Sequence, residues 1–129
     1  MPENFDPEGF AQRQLDAYNA RDIDRFIAEY ADDVLAFRFP ETEPFLIGKA
    51  ALAEHYRKNR FVLPDLHAEL VNRMVIGNRV IDHERVSGIE AEPKAVVAIY
   101  EVGPAGIAKV WFLSGSQPPL GSPVRSRPA

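Results

Sequence analysis

The chain has 129 residues, 46% of them hydrophobic and 26% charged, with a net charge of −4 and no cysteine. One domain of that size buries well over half of its unfolded surface. The acidic balance argues against nucleic-acid binding, the absent cysteines exclude disulfides, thiolate metal sites and thiol nucleophiles, and no run of about 18 apolar residues is available to span a membrane.

The opening MPENFDPEG has neither the basic nor the apolar region of a signal peptide, so a cytoplasmic location is expected. Asp6-Pro7-Glu8 predicts a helix start: a capping side chain, a proline whose missing N–H costs nothing there, and an acid in the first turn. Ala11, Leu15 and Tyr18 follow at helical spacing. Asp22 is placed to cap a second helix with Ile23, Phe26, Ile27 and Tyr30 on its buried face. Val34 to Phe39 reads as a strand, and Phe45-Leu46-Ile47 as a short second one. Gly48 precedes a third helix from Lys49 to about Asn59, with Leu52 and Tyr56 on its inner side. The basic cluster Arg57-Lys58-Asn59-Arg60 sits at that helix's C-terminal end, where the macrodipole favours cations.

From Leu66 onward the pattern is strand. Leu66–Ile76 and Arg79–Ile89 flank Gly77-Asn78, a two-residue hairpin loop, and Ala95–Val102 and Ile107–Ser114 form another pair. The order predicts an α+β fold, with helices on one side of a mainly antiparallel sheet. Nine of the last fifteen residues are Gly, Pro or Ser, so 1–114 reads as a single domain and 115–129 as a flexible tail.

If Gly77-Asn78 is the whole loop, Ile76 pairs with Arg79 and Arg73 falls opposite Asp82. One face then carries His67, Glu69, Arg73, Asp82 and Glu84, and the other Leu70, Met74, Ile76 and Ile81. Composition alone sends the apolar face to the core. The alternative is a charged face lining a concave pocket, with the apolar one buried against a second copy.

The run Leu15-x-x-Tyr18-Asn19-Ala20-Arg21-Asp22, the Tyr30-Ala31-Asp32-Asp33 doublet, Gly48 leading the helix that ends in Tyr56, and the Gly77-Asn78 hairpin together resemble the nuclear-transport-factor-2-like superfamily, nearest to its SnoaL-like polyketide cyclase and ketosteroid isomerase branches. The resemblance covers about residues 8 to 114. It implies a cone: a curved sheet wrapped by three N-terminal helices around a deep pocket. It also favours the charged face looking inward, with Tyr18, Arg38, Tyr56, His67, Asp82, Glu84, Tyr100 and Trp111 at pocket positions. The outer face, with Val97, Ile99, Val110 and Phe112 added, then becomes a homodimer surface.

Two departures limit what carries over. The positions of the isomerases' aspartate base and oxyanion-hole groups hold Arg38, Gln14 and Tyr100, and an arginine does not abstract protons near neutral pH. The Arg-x-Asp pattern of limonene epoxide hydrolases meets Glu84 and Val86. The residues themselves point to Glu84 as an acid or base, with His67 and Asp82 as further catalytic candidates. An Arg38–Glu84 or Arg73–Asp82 pair that only neutralises buried charge is the competing reading. Tyr18, Tyr56, Tyr100 and Trp111, with Arg38, suit a small, flat hydrophobic ligand bearing an oxygen, or else Trp111 is a core aromatic. A metal site at His67, Glu69 and Glu84 is weakly signalled, and no metal or cofactor is expected. Two functions stay open: a carbonyl-directed isomerase or cyclase, and a binding or dimerisation module in which Arg38 clamps a ligand carboxylate.

Overall fold

The computed structural model describes residues 5–114, and the tail expected from 115 lies outside them. The elements run α1 (Pro7–Ala20), α2 (Ile23–Ile27), β1 (Tyr30–Arg38), β2 (Leu46–Ile47), α3 (Lys49–Asn59), β3 (His67–Ile76), β4 (Arg79–Ser87), β5 (Lys94–Gly103) and β6 (Gly106–Ser114). One six-stranded sheet has the order β2-β1-β6-β5-β4-β3. It is antiparallel except where β1 runs parallel to β6. The three helices pack on one side of it, which makes the fold α+β.

Proline opens α1, but Asp6 makes no side-chain capping bond. Asp22 does cap α2, accepting from the Arg25 N–H at 3.2 Å. Helix α2 stops at Ile27, and Tyr30 belongs to β1 instead, fully buried against Phe26. The end of α1 guards the open edge of the sheet. Asn19 donates to the Ala68 carbonyl at 2.9 Å and accepts from its N–H at 2.8 Å, while Arg21 donates to the Leu66 carbonyl. Those contacts satisfy backbone groups that an edge strand otherwise leaves unpaired.

The β3–β4 register begins as the hairpin predicts, with Ile76 opposite Arg79 and Arg73 opposite Asp82. It then shifts. Asn72 pairs with His83 but Leu70 pairs with Glu84, leaving Val71 as one extra residue. Side chains alternate with period two, so a one-residue bulge exchanges the faces of everything beyond it. Ala68 therefore turns inward and His67 and Glu69 are exposed, opposite to the expectation from an unbroken ladder. A second expectation is also corrected. Val110 and Phe112 stand opposite Tyr100 and Ala98, and antiparallel partners share a face. Both therefore point inward, whereas Trp111 points outward and stacks on Phe37 at 5.4 Å. Of the apolar outer face, Met74, Ile76 and Leu113 remain exposed, and Ile81, Val97 and Ile99 partly so.

Gly88, just past β4, has φ of 90°, and a Cβ there would lie 2.3 Å from the Asp65 carbonyl oxygen. Only glycine lets the end of β4 approach the start of β3 so closely. The core runs through Phe26, Tyr30, Val34, Leu52, Val80, Tyr100, Val102, Ile107 and Val110. A second cluster, Leu15, Leu66, Ala68 and Val86, fills the end where β3 has switched faces.

Candidate active site

The concave side of the sheet and the helices enclose a cavity of about 320 Å³, within the range of roughly 300–1,000 Å³ typical of small-molecule sites. Strands supply Arg38 from β1, Glu84 and Val86 from β4, Val96 and Tyr100 from β5 and Phe112 from β6. Helix α1 supplies Gln14, Leu15 and Tyr18, and α3 supplies His55 and Tyr56, with Arg60 at its C-terminal cap. Most of this wall is apolar or aromatic: Tyr18, Phe26 and Tyr56 line it and, with Phe61 behind them, form a cluster with ring centroids 4.8–6.2 Å apart.

Glu84 is the acid on that wall. It is 7% exposed, and its buried Oε2 has no hydrogen-bond partner among the described residues. Burial pushes its pKa up to about 7, the negative charge of Asp82 adds to the rise, and the Arg73 guanidinium opposes it. Desolvation disfavours the charged form of an acid, and a like charge nearby does the same. Arg38 does not pair with Glu84. Its guanidinium lies 3.8 Å from the centroid of the Phe45 ring.

Asp82, two residues away on the same face, is 0% exposed and has the opposite fate. Arg73 holds it in a fork, Nε to Oδ1 at 2.7 Å and a terminal nitrogen to Oδ2 at 3.0 Å. The same guanidinium donates to Gln12 Oε1 at 2.9 Å and reaches Glu8 at 3.4 Å, tying α1 to the sheet. Bidentate pairs of this kind are among the stronger hydrogen bonds. Asp82 does not line the cavity.

Helix α1 also carries Gln14, 3% exposed, whose amide orientation is dictated by its neighbours. Its Nε2 donates to the Ala11 carbonyl at 3.0 Å, and that oxygen can only accept. Nε2 therefore also donates to the Tyr100 hydroxyl at 2.9 Å, while Oε1 accepts from the Tyr30 hydroxyl at 3.2 Å. A hydroxyl that accepts such a bond is polarised as a donor in turn. Burial holds the Tyr100 and Tyr30 phenols well above their ordinary pKa and pushes Tyr18 up to about 12, with Tyr56 raised further. All four stay protonated at neutral pH.

The structure thus brings Tyr18, Arg38, Tyr56, Glu84 and Tyr100 to one cavity, and leaves His67, Asp82 and Trp111 off its wall. His67 is exposed, beyond the bulge. With His67 and Glu69 outside and Glu84 inside, those three cannot converge on one ion. Gln14, placed by the resemblance at an oxyanion-hole position, does line the cavity, and His55 and Arg60 line it without having been singled out by their sequence positions as functional. His55 stands one residue before Tyr56, on the side of α3 that meets Phe45. Burial, then the charges of Arg60 and Arg38, lower its pKa, and Asn59 Nδ2 donates to its Nδ1 at 3.2 Å. Pairing Arg60 with the cluster before it concealed its direction, because the chain leaves the helix at that residue.

Comparison with known proteins bears on the fold. A family model described as a SnoaL-like domain matches residues 11–111. An uncharacterised cystatin-fold protein from Novosphingobium aromaticivorans is similar at 23% identity and a TM-score of 0.77, over 84% of this chain and 98% of that one. A candidate ketosteroid isomerase from Kribbella flavida is similar at 20% identity and a TM-score of 0.73, over 95% and 90%. A candidate polyketide cyclase from Sinorhizobium meliloti gives 18% identity and 0.69, over 84% and 99%. No curated protein matches the chain.

The raised pKa of Glu84 has a consequence for stability. In the fold this carboxyl keeps a proton that the unfolded chain releases. Its contribution is therefore fully present below about 4.5 and lost as pH rises through about 7. Glu84→Gln cannot titrate. Across that window wild type should lose stability relative to the variant by on the order of 3 kcal/mol, because each pH unit between the two midpoints is worth about 1.4 kcal/mol. Urea unfolding at pH 5 and pH 8 measures this, and parallel pH profiles for the two proteins would contradict it.

Proposed function

Because the chain belongs to the SnoaL-like domain family, we propose that it acts on a small hydrophobic carbonyl compound held in the cavity. The step is isomerase- or cyclase-like: Glu84 takes a proton from the carbon next to the carbonyl, and the electrons of that C–H bond move onto the carbonyl oxygen as an enolate. Tyr100, polarised by Gln14, donates a hydrogen bond to that oxygen, with Tyr56 on the same wall. Where the substrate carries a β,γ double bond, the enolate is a dienolate, and return of the proton from Glu84 to its γ carbon moves the double bond into conjugation and completes an isomerisation. The observation that carries this reading is the Glu84 carboxyl, buried on an apolar wall, unpartnered at Oε2 and brought to a pKa of about 7. A base with its pKa near the operating pH is both available and strong enough to act. Asp82 and Arg73 serve as positioning residues, since they set the charge that Glu84 feels.

A second reading, a ligand-binding module without turnover, draws support from Arg38, which stands where ketosteroid isomerases of this fold place their aspartate base. Deuterium exchange separates the two. With 2-acetylnaphthalene as the probe, wild type should catalyse exchange of the methyl protons, with a rate that rises through pH 7. Glu84→Gln should lower it by about 10²- to 10⁴-fold. Tyr100→Phe should lower it less. Binding of the probe with exchange no faster than in buffer would leave the binding module as the function.

We also propose that two copies pair through the outer sheet face, where Met74, Ile76 and Leu113 are exposed around Ile81, Val97 and Ile99. Sedimentation at micromolar concentration should find a dimer that Met74→Glu with Leu113→Glu dissociates. A wild-type monomer would overturn the pairing.

A further inference from the structure

The cavity is electrically lopsided. Glu84 stands on β4, and Arg38 and Arg60 line the wall elsewhere. In the sheet order, β1 and β4 are three strand spacings apart. At about 4.8 Å per spacing, the backbones of Arg38 and Glu84 are separated by roughly 14 Å across the sheet. The charges acting on Glu84 come from Asp82 and Arg73, whereas Arg60 and Arg38 both act on His55, and Tyr18 and Tyr56 are within reach of both Arg60 and Glu84. Arg38 lies on the Phe45 ring that His55 also meets, and Arg60 caps the helix that carries His55, so both guanidinium groups belong to the His55 side of the cavity.

Arg38 and Arg60 combine a place on the cavity wall with the lack of a carboxylate partner among the described residues; Arg21 and Arg25 also lack one but lie off that wall. Arg13, Arg57, Arg73, Arg79 and Arg85 each pair with a carboxylate. Arg38 rests on the Phe45 ring, and Arg60 donates one bond to the Asn59 carbonyl. Lys94, also on the wall, is already engaged by Glu90 at 3.4 Å. Each free guanidinium retains donors in a planar fork that matches a carboxylate. His55 beside them, kept neutral by its surroundings, adds a ring nitrogen that can donate.

We infer that the ligand is a flat hydrophobic keto acid, whose carboxylate is held by Arg38 and Arg60 and whose carbonyl end reaches Glu84 and Tyr100. The inference rests on the reading of the cavity as a substrate pocket, and adds the charge, polarity and orientation of the substrate. An anion at the far end also keeps its charge away from Glu84, so binding need not raise that carboxyl out of the useful range. A neutral ketone would fill the apolar wall equally well and leave both guanidinium groups without a partner.

The test compares 6-acetyl-2-naphthoate with its methyl ester, which has the same ring and ketone but no charge. Calorimetric titration at pH 8 and low salt should give at least tenfold tighter binding of the carboxylate. Arg38→Gln and Arg60→Gln should each remove most of that preference while leaving the affinity for the ester unchanged, which also verifies that the variants are folded. Salt should weaken the carboxylate alone. Equal affinities, binding of neither probe, or a preference that survives in the double variant would overturn the proposal. Glu84→Gln separates this result from the proton-transfer reading. It should keep the carboxylate preference, so preference without Glu84-dependent exchange contradicts that reading and spares this one. Exchange without preference does the reverse.

Discussion

Asp82 and Glu84 stand two residues apart on the inner face of β4, and one guanidinium serves only the first of them. Arg73 reaches Asp82 directly across the hairpin, so the fork is a cross-strand pair with nearly ideal distances. Removing one partner of such a buried pair costs about 3–5 kcal/mol, because the other charge is left uncompensated. Its further bonds to Gln12 and Glu8 fix α1 against the sheet. That docking places Gln14 against Tyr100. Both halves of the proposed chemistry, a carboxyl without a cation and a phenol with an oriented donor, follow from where Arg73 is engaged.

The stability of the chain and the usefulness of Glu84 pull in opposite directions. An apolar wall with one unpaired carboxyl is less stable at high pH than a wall without one. The cost has a chemical return, since the same desolvation that destabilises the carboxylate makes it basic near neutrality. A salt bridge from Arg38 to Glu84 would have cancelled both. Arg38 lies on Phe45 instead, and the structure keeps its positive charge and the acid on separate parts of one cavity.

Much of the architecture was legible in the residues. Pro7 at the start of α1, Asp22 capping α2, the Gly48-led third helix and the Gly77-Asn78 hairpin each carry a local physical signal, and each element stands close to where that signal places it. The hairpin also put Arg73 opposite Asp82 and Glu84 on the same face as Asp82, and it was the family resemblance, against composition, that turned this face toward the cavity. His67 was lost because parity holds only while the ladder is unbroken. Val71 carries no glycine or proline to announce a bulge, so the reversal arises from tertiary packing of Leu66 and Ala68 beneath α1. Trp111 and Phe112 were exchanged for a similar reason: their faces depend on the partner strand, and a further register shift lies between Glu101 and Val102. His55 and Arg60 reach the cavity through the way α3 lies on the sheet, which no spacing within one helix specifies, whereas Gln14 was placed there by the resemblance alone.

The proton transfer proposed for the cavity depends on one carboxyl, Glu84, being delivered there in a state that exchanges protons near neutrality. Isotope-edited infrared or carbon NMR titration of the Glu84 side-chain carboxyl, in the ligand-free protein between pH 3 and 9, reads this directly. The expected midpoint is about 7. A midpoint at the ordinary value of 4.5 would contradict it.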